Sequence, residues 1–180
     1  MVDEGPLRLI REFVNTYDVE GGVEALTTPT DLTNWLRHQQ LSDGSPADDT
    51  DLARAIELRE AIRELLVANH DGEPDGPARR AASAVTAAAR RVRLRPEFTP
   101  TTMVLTAATR QPVDQGLGAI LAVIAMTMAN GTWHRLKVCS SSTCRWAFFD
   151  ASRSGAGRWC SMAVCGNRRK ARAWRDRQRG

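Results

Sequence analysis

The first 138 residues of this 180-residue chain contain no cysteine, and the whole chain has only four. Disulfide stapling of that long N-terminal part is therefore excluded. Nothing at the N-terminus resembles an export signal, since Met1 to Pro6 carries two acids and no apolar run, so an oxidising compartment is not expected. No apolar run reaches bilayer length. The longest, Leu117 to Ala129, has the size of a buried core helix. There is no Gly-rich phosphate loop after a strand, no nucleophile elbow and no internal repeat. His38 and His70 stand alone, and Ser83 and Thr86 have no recognisable base beside them. Glu57, Glu60 and Glu64 have the spacing of a solvated helix face. These absences point to a cytoplasmic globular protein, neither an enzyme nor a membrane protein.

All four cysteines lie in one window, as two pairs with four residues between partners: Cys139 with Cys144 and Cys160 with Cys165. Two matched thiol pairs around a hairpin-length spacer are what a tetrahedral four-cysteine site requires, so one structural Zn2+ is expected. Four thiolates leave no open coordination position for water, so the metal is structural, not hydrolytic. His134, close to the first ligand, is surplus to the set. The strand Arg135 to Val138 leads into a knuckle of Ser and Thr between Cys139 and Cys144. Trp146 and Phe148 then alternate with Arg145, Ala147 and Phe149 as a second strand. Small residues from Ser152 to Gly157 form a turn, and a helix runs from about Met162 to Arg177 with the fourth ligand in its first turn. Knuckle, hairpin and helix make a treble-clef-like arrangement.

At this point the residues resemble a known family. Arg-Leu-Lys-Val-Cys at 135–139 and Trp-Cys-Ser-Met-Ala-Val-Cys-Gly-Asn-Arg at 159–168 look like the CGNR zinc finger, named for residues 165–168. The resemblance covers roughly residues 133–178, with all four ligands. Proteins with this finger usually carry an upstream ABATE domain, and Phe13, Val14, Asn15 and Thr16 resemble a short motif near the start of that domain. The resemblance implies a bacterial transcription regulator of the stress response that binds DNA.

Charge points the same way. Residues 133–180 hold 12 Lys or Arg against two acids, a formal +10, whereas residues 1–132 hold 13 against 19, a formal −6. Part of the surplus can answer the roughly −2 charge of a zinc ion bound by four thiolates. Arg168, Arg172, Arg175 and Arg179 recur at helical spacing, with Arg169 and Lys170 beside them. Arg168, Arg169, Lys170, Arg172 and Arg175 are thus the expected nucleic-acid contacts. Val164, Ala171 and Trp174 share another face and are expected to pack on Trp146 or Phe148, making Trp146, Phe148 and Trp174 the finger core.

The preceding chain reads as mainly α with a small β-hairpin. Helices are expected over Pro6–Tyr17, from an N-cap at Thr30 or Asp31 to Leu41, over Asp51–Asn69, over Ala78–Val92 and over Val113–Asn130, the last terminated by Gly131. In the third, Arg59 with Arg63 and Glu60 with Glu64 are expected outside. Residues 71–77 form a break, and Val92–Thr99 with Thr102–Ala107 a hairpin. Asn15 and Thr16 are expected to make fixing polar contacts, with a pocket near Phe13 and Trp35 as the weaker idea. The organisation is then an ABATE-like helical domain over 1–132 and a CGNR-type finger with a basic C-terminal helix over 133–180, with a short connection that favours packing of one on the other. The expected function is zinc-dependent binding of duplex DNA, with the helical domain serving homodimerisation or signal response. A finger that docks on an acidic protein partner, or binds RNA, is the alternative.

Overall fold

The structure is a computed structural model that describes residues 4–70 and 76–179, so residues 71–75 of the expected break lie outside the described residues. So do the side chains of Arg172, Ala173, residues 175–177 and Arg179. The described residues form six α-helices and three two-stranded antiparallel sheets.

Helix α1 (Leu7–Val14) buries Leu7, Ile10, Phe13 and Val14. It stops short of Tyr17 because Tyr17–Asp18 (β1) pairs with Val23–Glu24 (β2) across the Gly21-Gly22 turn. Two residues per strand are too few to show an alternation, so this hairpin had no readable pattern. Helix α2 (Pro29–His38) starts earlier than expected, at a Thr28–Asp31 capping box with Pro29 in its first turn. Helix α3 (Asp49–Val67) likewise starts from a capping box, Asp48 with Asp51. Helix α4 (Gly76–Arg91) buries its small residues Ala78 and Ala81. Strands β3 (Leu94–Phe98) and β4 (Met103–Ala107) form the expected hairpin, in register from Leu94↔Ala107 to Phe98↔Met103. It lies close on helix α5 (Pro112–Ala129), where a Cβ at Gly118 would come within 2.5 Å of Ala107 Cβ.

Helix α5 is long and apolar enough in composition to cross a bilayer, yet half of it is buried inside the protein. Val113, Leu117, Ile120, Leu121 and Ile124 form the centre of the core with Phe13 and Val14 of α1 and Leu32 and Leu36 of α2. Gly131, at φ +75°, turns the chain out of the helix. A 3₁₀ turn (Trp133–Arg135) then leads into β5 (Leu136–Val138), which pairs with β6 (Ala147–Phe149). Trp133, Leu136, Val138 and Ala147 are buried in the same cluster as α1, α3 and α5, and Phe149 packs against it. The cysteine-bearing segment thus shares the helices' core.

One expectation about α3 is overturned. Arg59 and Arg63 do not face solvent: they are 2% and 1% exposed. Arg59 donates both terminal nitrogens to the Glu24 carboxylate at 2.7 Å each, its Nε to Glu60 at 2.8 Å and its Nη1 to the Thr16 hydroxyl at 3.1 Å. Arg63 donates to Glu60 at 3.0 Å and to the carbonyls of Val14, Tyr17 and Arg145. Tyr17 lies under both guanidiniums, at 5.5 and 5.9 Å. A charge is tolerated in an interior only when it is paired and its donors are satisfied, which these contacts achieve.

Candidate metal centre

Cys139 and Cys144 bracket the knuckle between β5 and β6. Cys160 follows the 152–157 turn, and Cys165 lies in a π-helical turn (Met162–Gly166) that runs directly into α6 (Asn167–Arg179). The wider turn is capped by the Ser161 hydroxyl, which accepts from Val164 N at 3.3 Å. All four Sγ atoms lie within 4.8 Å of one another. Cys144 to Cys160 is 3.7 Å and Cys160 to Cys165 is 3.8 Å. Tetrahedral zinc with Zn–S near 2.3 Å separates its sulfurs by about 3.8 Å, whereas a disulfide requires about 2 Å. All four are free thiols. The donor set therefore fits one structural zinc ion and does not fit a pair of disulfides.

Burial drives the Cys160 thiol well above its ordinary range and Cys165 to about 11. Cys139 is buried too, but N–H groups of Cys160 and Ser141 donate to its sulfur and hold it below the usual thiol value. A divalent cation is what allows four such sulfurs to be thiolates together.

The knuckle is gripped from the helical side. Asn15 donates to the Ala147 carbonyl at 2.9 Å and accepts from its N–H at 2.8 Å, so one amide completes the edge of β6. Thr16 donates to the Phe13 carbonyl at 2.8 Å. The polar half of the Phe13–Thr16 segment therefore makes fixing contacts, while Phe13 and Val14 are core. Phe13 and Trp35 pack ring to ring at 5.1 Å, and a cavity of about 240 Å³, lined by apolar and charged side chains alike, lies elsewhere, between α3, α4 and α5. Arg145, the residue after the second cysteine, sits at φ +49°, in the left-handed region that a side chain seldom adopts. Its carbonyl is held by Arg63 and its guanidinium by Glu64. Asn69 donates to the carbonyls of Trp133 at 3.0 Å and Leu136 at 2.8 Å, and His70 Nε2 bonds the Val138 carbonyl. His70 is thus an anchor of β5, and His134 Nδ1 bonds the Gly131 carbonyl at 2.7 Å.

Behind the second strand, buried Lys137 and Asp150 pair at 3.3 Å. Asp150 also accepts from Ser152 N at 3.0 Å and Gly157 N at 2.6 Å, which ties down the 152–157 turn. Burial opposes ionisation of Asp150, yet these donors and Lys137 hold it at about 2. Any Cβ at Gly157 would lie 2.7 Å from that carboxylate.

The finger core differs from the expected one. Trp146 packs on the buried sulfurs, but its companion is Trp159, and Phe149 points the second strand's other aromatic face into the main core. Trp174 is 58% exposed, and Val164 and Ala171 are exposed as well. The apolar stripe of α6 therefore does not dock on Trp146 or Phe148, and the zinc centre is closed without it. Every residue of α6 whose side chain is described is exposed, including Arg168, Arg169 and Lys170. Arg172 and Arg175 lie on α6, with side chains outside the described residues. Sequence reasoning missed that Arg158, Trp159 and the knuckle residues 140–143 line a groove with Arg168 and Arg169. The clue was their closeness in sequence to the ligands.

Residues 7–130 match the family model of the ABATE domain, described as "Putative stress-induced transcription regulator". Residues 135–178 match the family model of the CGNR zinc finger. No curated protein matches the chain.

Proposed function

The chain belongs to the ABATE family and ends in a CGNR zinc finger, and from that premise we propose that it is a transcription regulator that binds duplex DNA through α6. The supporting observation is a basic helix continuous with a zinc-ligating turn, with Arg168, Arg169 and Lys170 exposed upon it. A rigid base beneath a cationic stripe supplies the phosphate attraction common to DNA-binding proteins, and Arg172 and Arg175 extend it along the helix. The zinc ion, when bound, supplies a structural cross-link and no chemistry. The chain's own residues hold the knuckle, aim α6 and meet the phosphates, so the protein acts without catalysis, in the reducing cytoplasm that free metal-binding thiols suit. The helical region serves dimerisation or signal response.

Reversing charge at Arg172 and Arg175 together should abolish duplex binding while zinc content stays at one ion per chain. Affinity of the zinc-loaded protein should fall steeply with salt. Retained affinity in the double variant would remove α6 from the interface.

A second reading has its own observation. Met162, Val164 and Trp174 are exposed large apolar side chains on the π turn and α6. They suit docking of the finger on a protein whose surface is partly apolar and partly acidic. Salt-insensitive binding to a protein, with no duplex binding at low salt, would favour that reading.

A further inference from the structure

We propose that helix α4 carries a second surface for the phosphate backbone of DNA, separate from α6 and made by Arg79, Arg90 and Arg93 with Arg80 and Arg91 beside them. The proposal rests on the DNA-binding reading above for the identity of the polyanion. The negative charge of residues 1–132 is unevenly placed. Residues 1–75 hold six arginines against 17 acids, a formal −11, whereas residues 76–111 hold seven arginines and one acid, a formal +6. Helix α4 packs on α3, α5 and β3, so this basic segment belongs to the helical region and not to the finger.

With 3.6 residues per turn, Arg79, Ser83, Thr86 and Arg90 share one face of α4, and Arg80 and Arg91 border it. All six are exposed, as is Arg93 just past the helix end. Arg168 on α6 is met by Glu20, from the turn between β1 and β2, but no described group pairs with any of these five arginines. A solvated face kept for helix stability is the rival explanation. It suits Arg90 and Arg91, which lie in the last turn and complement the helix dipole. It does not suit Arg79, which opposes the dipole in a first turn that holds no acid. Nor does it suit Arg93, at φ +51°, where a helix end ordinarily takes glycine. Stability favours neither placement, so both point to a ligand for the cations.

Ser83 and Thr86 donate their hydroxyl protons to the carbonyls of Arg79 at 3.1 Å and Ala82 at 2.8 Å, which leaves the arginines as the donors of this face. Ala82 and Ala87 are exposed too, and side chains this short let a rigid polyanion come close to the helix. Arg79 and Arg90 lie about 16 Å apart along the axis, enough to reach phosphates on both sides of a groove about 12 Å wide. Among the residues of α4 no large apolar side chain is exposed, as a helix lying on a membrane surface would require.

The test is binding of a labelled duplex of arbitrary sequence, several helical turns long, to the zinc-loaded full chain across a salt series. Arg79→Gln with Arg90→Gln should weaken binding several-fold and lower the salt slope by about 2, with zinc content and Tm unchanged. Arg93→Gly should weaken binding while leaving Tm unchanged or higher, a combination that a structural role for Arg93 would not give. Thr86→Glu, in the middle of the face, should weaken binding far more than Gln40→Glu, the same change of net charge at an exposed site just past α2. Equal effects of those two would reduce α4 to its share of the net charge and overturn the proposal. Wild-type affinity in every α4 variant, with binding lost on charge reversal at Arg172 and Arg175, would overturn it and leave the α6 reading intact. The converse result would remove α6 and leave α4 as the DNA surface. Binding to vesicles of anionic lipid that the Arg79 and Arg90 double variant loses, with its duplex binding unchanged, would give the face to a membrane and overturn the proposal. A wild-type protein that binds no duplex at low salt would end both readings.

Discussion

Asn15 and Arg63 show how much a single polar side chain can carry when its partners come from distant sequence. Asn15 satisfies both backbone groups of Ala147, which is itself buried. Asn15→Ala leaves an N–H and a carbonyl unpaired in the core, so a loss of about 1–3 kcal/mol is expected in urea unfolding of the zinc-loaded protein. Arg63 binds three carbonyls and a carboxylate, and Arg63→Ala should cost more, on the order of 3 kcal/mol, through the carbonyl oxygens of Val14, Tyr17 and Arg145 that it strands. A loss of a few tenths in either variant would mean that water replaces these contacts freely. Asp150 works at the same scale. Its folded pKa of about 2 lies below the ordinary carboxylate value, so its contribution is fully present above about pH 4 and is lost only as pH falls toward 2. Thiolate ligands are protonated at higher pH than that, so Asp150 is ionised whenever the centre is loaded. Asp150→Asn should accordingly destabilise the finger equally at pH 6 and pH 8. A penalty that changes between those values would point to another titrating group.

At the scale of elements, β5, β6 and the π turn behave differently from α6. The strands are sealed into the core, whereas the described side chains of α6 are exposed. Trp174→Ala should therefore change stability by less than about 0.5 kcal/mol, as at an ordinary surface site. A large destabilisation would show that α6 packs on the finger after all. The heptad-like spacing of Val164, Ala171 and Trp174 was legible in the sequence, but spacing names a face without naming what covers it. The same limit applies to α3. Its apolar stripe was readable, and Leu58, Ile62 and Leu66 are buried. Arg59 and Arg63 share that buried side because Glu24, Thr16, Tyr17 and Arg145 meet them there, and none of these is near them in sequence. Helix starts were off by a few residues for a local reason: Thr28 and Asp48 cap through their own side chains, and capping boxes at Thr28 and Asp48 outcompete the neighbouring candidates.

For the whole molecule, the shared core makes zinc a matter for the helices too. Leu136, Val138 and Ala147 pack with α1, α3 and α5, so loosening the knuckle exposes apolar surface on the helical side. Chelation should lower thermal stability of the entire chain and reduce hydrogen-exchange protection in α1 and α3, beyond the finger. Unchanged protection there would mean that the helical region stands without the finger. Because burial raises Cys160 and Cys165 in the metal-free protein, zinc uptake must release protons, and apparent zinc affinity should rise with pH. The metal site, the bipolar charge and the helical class were all determined by the sequence itself, since ligand spacing, composition and periodicity are local properties of the chain, and the family was legible as a resemblance in residues 135–139 and 159–168. Only the tertiary structure decided that two arginines are interior, that the Phe13–Thr16 segment clasps β6, and that Glu20 meets Arg168. Each of those depends on which distant groups converge, and whether a charge is buried or solvated follows from its partners, not from its own residue type.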